Sequence, residues 1–358
     1  MLGANDRVVL LQHGGLDSLT GKTGLAMLRH RRGPIVAVID PAHAGKALSM
    51  VTGIPRDVPV VADLEAALPY HPEVAVVGLA PSGGRLPEPL RVDALAALQA
   101  GLSLASGLHT RLGDDPAFAV ACRPGKWIWD LRQEPKDLVV AQGRAAALPC
   151  QRILAVGTDM AVGKMSACLA LRDSAQQQSL PCRFVGTGQA GILISGSGVP
   201  LDAVRVDYAA GAVEAAVLEA GNGLPPEGLV LVEGQGSLCH PGSTATLPLI
   251  RGSQPTELML VHRAGQTSID RLPQVPLPSL RELVQICEGL AGLARPQPLG
   301  PVPRVGAVAL NTARLDAEEA VRAIAATEDE LQLPCADPIR DGADLLLKAL
   351  RSQRSSVI

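Results

Sequence analysis

A glycine-rich loop between a predicted strand and a predicted helix is the feature that most limits how this chain can fold. Apolar residues typical of a strand occupy positions 153–156, Gly157 follows, and Gly163-Lys164 precedes a helix predicted at 165–172. This order is typical of a P-loop, in which backbone N–H groups, the helix N-terminus and the lysine ammonium bind phosphates. The alternative is an ordinary strand-to-helix turn.

The loop departs in detail from the G-x4-G-K-[ST] pattern. Gly157 lies one residue early, Thr158 takes the place of the first glycine, and Met165 replaces the Ser or Thr that would bind magnesium. Ser166 follows one residue late. The residues predicted to bind the cofactor in this loop are Gly157, Thr158, Asp159, Val162, Gly163, Lys164, Met165 and Ser166.

A second buried strand, predicted over residues 228–232, delivers Glu233 at its carboxyl end. In P-loop folds a neighbouring strand brings a carboxylate to magnesium, although Glu233 could simply cap the following turn. The loop and the Glu233 segment together resemble dethiobiotin synthetase, a P-loop enzyme of the MinD-like group that has Thr after the lysine. The resemblance implies that Asn311, after a strand predicted at 305–310, contacts adenine. Its alternative is a turn asparagine.

A closer resemblance covers nearly the whole chain. Its motifs are the stretches 184–194, 202–207, 234–241 and 252–255. They are similar to a bacterial family classed as a domain of unknown function, with an N-terminal Rossmann-like domain and a C-terminal P-loop domain. Its functionally assigned member is a D-glutamate N-acetyltransferase that uses acetyl-CoA. The family shows the same Gly-Lys-Met-Ser variant, so the resemblance makes Met165 a family trait.

Composition excludes several classes of partner. The chain has 358 residues and a net charge of −3, which gives no electrostatic basis for binding nucleic acid or an anionic membrane. Aromatic residues make up 2% of the chain against 47% hydrophobic residues, so Ala, Val, Leu and Ile must form the cores. The seven cysteines are scattered, without a zinc or disulfide pattern, which together with the absent signal peptide predicts a cytoplasmic protein. We expect a homodimer or higher homo-oligomer.

Strand and helix patterns alternate along the chain, which predicts an α/β fold with mainly parallel sheets. We predict a Rossmann-like domain over 1–125, a connector over 126–150 and a P-loop NTPase-like domain over 151–358. The first domain has strands predicted at 7–12, 34–39, 74–79 and 102–106, helices at 24–31 and 90–100, and a loop at 81–84.

The first domain also contains Gly21-Lys22-Thr23, preceded by Gly15, which mimics a P-loop with one residue too many. We interpret the match as a chance result of the residue types that are common in loops. The alternative is a second phosphate site, for instance for a cofactor tail.

Polar residues near the phosphate loop are predicted to bind substrate. They are Thr187, Gly188 and Gln189 in a glycine-rich loop after a strand, with Gln235 and Asp207. Gln189 could instead be a turn residue, and Asp207 could cap a helix predicted at 208–220. Asp159 could hold a substrate amine or metal-bound water, or only stabilise its own loop.

His240 is predicted to be the general base, because an amine nucleophile must lose a proton before acyl transfer and histidine titrates near neutral pH. Glu233 could share this role. A purely structural role for His240 is the alternative.

Two reactions and one non-enzymatic function compete. In the first, the loop binds acetyl-CoA and an amino group of a small dicarboxylic amino acid attacks the thioester, with no metal required. In the second, the loop binds Mg-ATP, with Ser166 and Glu233 as metal ligands, and the enzyme is a kinase or ligase. The third is a nucleotide-regulated binding module.

Overall fold

The computed structural model describes residues 2–80, 86–293, 295–296 and 302–352, and the predicted loop at 81–84 lies outside them. Two compact units are present, both built from parallel sheets and helices, which confirms the α/β prediction. The first comprises Met1–Glu134 and Gln189–Ala203, and the second comprises Pro135–Gly188 and Val204–Ile358. The predicted connector is thus divided between the units after Glu134.

The first unit contains a parallel sheet of Rossmann-like character. Its strands are β1 (Val8–Leu11), β2 (Ile35–Ile39), β3 (Val60–Val61), β4 (Val74–Val77), β5 (Ser103–Ser106) and β6 (Ile128–Asp130), in the order β3-β2-β1-β4-β5-β6. The reversal of strand order between β1 and β4 is typical of doubly wound folds. The strands predicted in this unit are found, with ends that differ by one or two residues.

Helices of the first unit come mostly from its N-terminal part. They are α1 (Lys22–His30), α2 (Leu48–Thr52), α3 (Leu64–Ala67), α4 (Glu88–Gln99), α5 (Pro116–Ala121) and, from the later segment of the chain, α7 (Gln189–Ser195). The core is aliphatic apart from Phe118, as the composition predicts. The prediction that Gln189 lies in the glycine-rich loop with Thr187 and Gly188 is wrong, because α7 begins at Gln189 and buries Ile192 and Leu193.

The second unit contains the phosphate loop and the sheet strand that precedes it. Its sheet has the strands β7 (Gln151–Gly157), β8 (Cys182–Val185), β9 (Leu229–Val232), β10 (Glu257–Arg263), β13 (Arg304–Asn311) and β14 (Cys335–Ala336), in the parallel order β14-β13-β10-β7-β9-β8. A separate antiparallel hairpin consists of β11 (Ser268–Ile269) and β12 (Leu272–Pro276). The helices are α6 (Lys164–Gln177), α8 (Val206–Gly221), α9 (Thr246–Ser253), α10 (Leu280–Gly292), α11 (Ala317–Leu331) and α12 (Asp344–Ser352).

Sheet topology places the predicted site residues at one edge. All residues of β7 are buried, and this strand pairs with β9 on one side and β10 on the other. The phosphate loop follows β7, Glu233 follows β9, and Asn311 ends β13. Because these strands are parallel, their carboxyl ends meet at the same edge, where ligands bind in open α/β sheets.

Within the described ranges, no helix combines the length and the apolar character needed to cross a membrane.

Candidate active site at the phosphate loop

The phosphate loop ends in a glycine whose backbone admits few other residues. Gly163 has φ 113° and is the N-cap of α6, a 14-residue helix with no side-chain cap. An uncapped helix N-terminus presents N–H groups and partial positive charge to an anion. The predicted strand, loop and helix are therefore present in the arrangement that phosphate binding requires.

Lys164 is buried and folds back onto its own loop. Its Nζ donates to the carbonyl oxygens of Asp159, at 2.6 Å, and Met160, at 3.1 Å. Burial lowers the pKa of Lys164 to about 8, although the negative charges of Asp159 and Glu233 act to raise it. A phosphate would offer this ammonium a full negative charge in place of two carbonyl dipoles, which favours exchange of partners.

Asp159 connects the phosphate loop to the β11–β12 hairpin. Its Oδ1 accepts from Met160 N at 2.6 Å, and its Oδ2 accepts from Gln266 Nε2 and from Asp270 N, each at 2.7 Å. Burial acts to raise the pKa of Asp159, but these hydrogen bonds outweigh it and hold the pKa below its usual value. This geometry favours the loop-stabilising role over binding of a substrate amine.

Glu233 is a buried carboxylate with its two oxygens in different environments. Oε2 accepts from Thr187 N at 2.8 Å and from Gly188 N at 3.3 Å. Among the residues that the structure describes, Oε1 accepts only one long hydrogen bond, from Gln235 Nε2 at 3.5 Å. Burial raises the pKa of Glu233 to about 7, although the two backbone hydrogen bonds and Lys164 act to lower it. One oxygen is thus fixed and the other is open to a proton.

Thr187 and Gln235 support Glu233. The Thr187 hydroxyl donates to the Glu233 carbonyl at 2.9 Å, and Thr187 is itself buried. Gly188 leaves room for the Gln235 side chain, since a Cβ there would lie 2.2 Å from Gln235 Nε2. These residues, predicted to bind substrate, thus also hold the carboxylate in place.

His240 lies in the loop after β9 and is partly exposed. Its Nδ1 accepts from Gly242 N at 3.0 Å. A neutral imidazole that accepts at Nδ1 carries its proton on Nε2, so Nε2 is a donor in this state. In this state the ring donates through Nε2. The role of His240 as general base stays a prediction, and the bond from Gly242 N does not favour it, because it occupies the Nδ1 lone pair that a base would need.

Asn311 is close to the phosphate loop at the end of β13. Its Nδ2 donates to Val162 O at 2.9 Å, and its Oδ1 accepts from Ala313 N at 3.1 Å. The side chain thus stabilises the loop and the turn that follows β13. Its contact with adenine stays a prediction.

Two further residues predicted to bind substrate are Asp207 and Gln189, each at the start of a helix. Asp207 is exposed in the first turn of α8, where the N-cap is Arg205 without a side-chain bond, so its prediction as the helix cap is wrong. Its carboxylate instead favours the helix through the dipole. Gln189 belongs to the first unit as the first residue of α7, and its buried Oε1 has no hydrogen-bond partner among the described residues.

The second glycine-lysine sequence is part of the first unit's packing. Gly21 approaches the backbone so closely that a Cβ would lie 1.9 Å from Gly15 O, and its own carbonyl accepts from Gln12 Nε2 at 2.9 Å. Lys22 starts α1. These contacts give the glycine a structural reason that does not involve phosphate.

Sequence reasoning missed two supporting residues. Ser237 is buried and its hydroxyl donates to Thr158 O at 2.9 Å, which ties the loop after β9 to the phosphate loop. His262 lies 3.0 Å from the Thr158 hydroxyl through Nδ1, and burial followed by the charge of Arg263 lowers its pKa to about 4. The Gly-Gln-Gly-Ser motif contained a signal for Ser237, whereas a lone histidine in a strand gave none.

The surroundings of Lys164 leave room for a phosphate-bearing ligand. Gly157 and Gly234 leave room beside Lys164, where a Cβ would lie 3.1 Å and 2.7 Å from its Cδ. Met165 offers no hydroxyl beside the lysine. Over the parts of the chain that the structure describes, no group of three or more His, Cys, Asp or Glu side chains could hold a metal.

Family models match both units. A domain of unknown function, DUF1611, described as a P-loop domain, matches residues 139–347, and its Rossmann-like N-terminal counterpart matches residues 41–134. A crystal structure of a DUF1611 family protein from Anabaena variabilis ATCC 29413 is 51% identical, with a TM-score of 0.90. The match covers 97% of this chain and 100% of that chain.

Two curated relatives carry the same name. A D-glutamate N-acetyltransferase of Tritonibacter scottomollicae is 38% identical over 289 residues, which is 80% of this chain and 84% of that protein. A D-glutamate N-acetyltransferase of a Pseudoalteromonas species is 32% identical over 281 residues, 77% of this chain and 80% of that protein.

Proposed function

The chain belongs to the DUF1611 family, and we propose that it is an N-acetyltransferase that uses acetyl-CoA to acetylate a small dicarboxylic amino acid, with D-glutamate as the first substrate to test. The names of two relatives that align with more than three quarters of the chain support the reaction class and the substrate. The geometry of the phosphate loop supports the cofactor.

The proposal depends above all on the raised pKa of the buried Glu233 carboxylate. An amino acid presents its amine mostly as ammonium at neutral pH, and the amine must lose a proton to become a nucleophile. A carboxylate with a pKa of about 7 is matched to that transfer, whereas an ordinary glutamate near 4.5 is too weak a base. Oε1 is the oxygen in position to take the proton, because Oε2 is held by Thr187 and Gly188.

The phosphate loop would hold the cofactor, and acetyl-CoA would supply the thioester. Lys164 and the uncapped N-terminus of α6 would bind its diphosphate. Negative charge that develops on the acyl oxygen would be stabilised by backbone N–H groups of the same loop. Since Nε2 of His240 is a donor, it could orient a substrate carboxylate.

One observation favours a second candidate, a kinase or ligase that uses Mg-ATP. Glu233 directly follows β9, the strand beside β7, which is where P-loop enzymes carry a carboxylate for magnesium. Met165 counts against it, because the hydroxyl that normally completes this magnesium site is absent from that position.

Thiol release distinguishes the two candidates. We expect acetyl-CoA and D-glutamate to give free thiol, followed with a chromogenic disulfide, with EDTA present and across a panel that includes L-glutamate and D-aspartate. Glu233→Gln should reduce kcat by about a hundredfold or more. The matched control is Glu219→Gln, the same change at an exposed position on α8. ADP formation from Mg-ATP, without thiol release from any amino acid, would overturn the proposal.

A further inference from the structure

A cavity of about 400 Å³ beside the phosphate loop is lined by three arginines. They are Arg263 at the end of β10, Arg271 in the turn of the β11–β12 hairpin, and Arg314 in the loop after β13. Asp270 is the acidic residue in the lining, so the positive charges outnumber it. We call this cavity the arginine pocket. Its charge favours an anionic group.

Two of these three side chains have no partner among the residues that the structure describes. Within the described part of the chain, neither Arg271 nor Arg314 makes a hydrogen bond or ion pair, and both are exposed. Arg263 donates through Nη2 to Ala161 O of the phosphate loop. Guanidinium groups that are not used in folding and line one cavity are available for a phosphate or carboxylate, which they can bind with two parallel hydrogen bonds.

The backbone at Arg271 has a conformation that a long side chain rarely adopts. Its φ is 64°, in the left-handed region, where glycine or asparagine would be less strained. Residues with such backbone angles persist only where the surrounding structure holds them, and they are frequent at ligand sites. Here the turn is fixed by Asp159 Oδ2, which accepts from Asp270 N at 2.7 Å.

Gln266 supplies a buried acceptor in the same lining. Its Nε2 donates to Asp159 Oδ2 at 2.7 Å and to Ser268 O at 2.9 Å, so the amide orientation is fixed. Its Oε1 is buried and has no hydrogen-bond partner among the residues that the structure describes. A buried acceptor without a partner is costly, and a ligand hydroxyl would satisfy it.

The arginine pocket and the phosphate loop share their supporting residues. Asp159 and Ala161 of the loop bond directly to Gln266, Asp270 and Arg263 of the pocket. A ligand that places one anionic group on Lys164 can therefore place a second in the adjoining pocket if it carries two such groups. Coenzyme A does, with a 5′-diphosphate and a 3′-phosphate on one ribose, whereas ATP carries its phosphates in a single chain.

The geometry points to the arginine pocket as the site for the 3′-phosphate of coenzyme A, with Gln266 Oε1 accepting from a ribose hydroxyl. This assignment rests on the proposed function and deepens it, because it gives the chain a means of selecting acetyl-CoA over nucleotides that lack a 3′-phosphate.

Calorimetry with CoA and dephospho-CoA tests the assignment without turnover. We expect the wild-type chain to bind CoA at least tenfold more tightly than dephospho-CoA, since a phosphate bound by several guanidinium groups gains charge-assisted hydrogen bonds. Arg314→Gln should reduce this preference to less than threefold while leaving dephospho-CoA binding within a few-fold. Arg271→Asn should do the same, and asparagine tolerates the positive φ.

A matched control is Arg322→Gln, an exposed arginine on α11 that is paired with Glu318 and does not line the pocket. It should leave the preference unchanged. Equal affinity of the wild type for CoA and dephospho-CoA overturns the assignment of the arginine pocket and leaves the proposed function standing. The assignment also fails if Arg314→Gln keeps the preference and instead raises KM for D-glutamate. Binding of Mg-ATP with no binding of either CoA form overturns the proposed function and the assignment together.

Discussion

Glu233 and His240 differ in which lone pair is available to a proton. Glu233 keeps Oε1 nearly unbonded in a buried site, whereas the Nδ1 lone pair of His240 accepts from Gly242 N. A general base needs a free lone pair that faces the substrate and a pKa near the working pH. By the lone-pair criterion the carboxylate is the better base, and its pKa of about 7 suits the task, so we assign the proton transfer to Glu233 in the proposed mechanism.

The pH dependence of the reaction should therefore follow Glu233. With D-glutamate and acetyl-CoA, kcat/KM of the wild type should rise with pH through about 7 as the carboxylate loses its proton. Glu233→Gln should lose this limb together with most of the activity, and His240→Ala should keep it. A Glu233→Gln variant whose profile still rises near pH 7 would contradict the assignment.

Lys164 should matter for binding and little for folding. Lys164→Ala removes a buried ammonium whose hydrogen bonds, within the described part of the chain, go to two loop carbonyls. We therefore expect CoA affinity to fall about thirtyfold or more while the melting temperature is unchanged or higher. Calorimetry and a thermal melt measure the two effects.

The comparison variant for Lys164 is Lys22→Ala at the start of α1, which should leave CoA affinity within a few-fold of wild type. An equal loss of affinity in both variants would mean that the phosphate site has been misassigned.

Elements of this chain depend on close backbone approach at particular glycines. Gly234 follows Glu233, and a Cβ there would lie 1.9 Å from Ala155 O in β7. We expect Gly234→Ala to lower the free energy of unfolding by more than about 2 kcal/mol, because the clash is with backbone of the central strand. Denaturant unfolding of the purified variant measures the loss.

A glycine in an open environment should behave in the opposite way. Gly289 lies inside α10, and a Cβ there would meet no atom within 4 Å. Gly289→Ala should raise the free energy of unfolding by about 0.5–1 kcal/mol, through helix propensity and reduced freedom of the unfolded chain. Destabilisation by this change, measured in the same denaturant series, would show that the helix does not tolerate the methyl group.

Local patterns predicted the elements of the site well and its long-range contacts poorly. The strand before Gly157 and the helix after Lys164 follow from apolar runs and glycine positions. The contacts of Asp159 with Gln266 and Asp270 join residues more than a hundred positions apart, and nothing in either stretch indicates the other. The prediction that Gln189 lies in a loop is wrong because a helix that starts with a polar residue after glycines resembles a loop in sequence, whereas its role in substrate binding stays a prediction.

At the scale of the whole molecule, the buried carboxylate should be visible in stability. Because the pKa of Glu233 in the native state is about 7, above its ordinary value of 4.5, the native state binds this proton more tightly than the unfolded chain. Its stabilising contribution is present below about pH 4.5 and is lost as the pH rises through 7. Glu233→Gln should therefore stabilise the ligand-free protein at pH 8, by on the order of 3 kcal/mol, and change little at pH 4.5.

Denaturant midpoints of wild type and variant at the two pH values measure this difference. A difference of the same size at both pH values would show that the substitution acts through packing rather than through the charge.

The route of the chain has a consequence for how such a protein can be divided or recombined. The first unit is completed by Gln189–Ala203, which supplies the helix that packs on α1, and these residues are encoded inside the second unit. A single cut after Glu134 therefore yields a first fragment that lacks α7. The second fragment carries this apolar helix, although α7 packs in the first unit. Gene fusion or exchange at that boundary cannot transfer either half intact, so the two halves are expected to be inherited together.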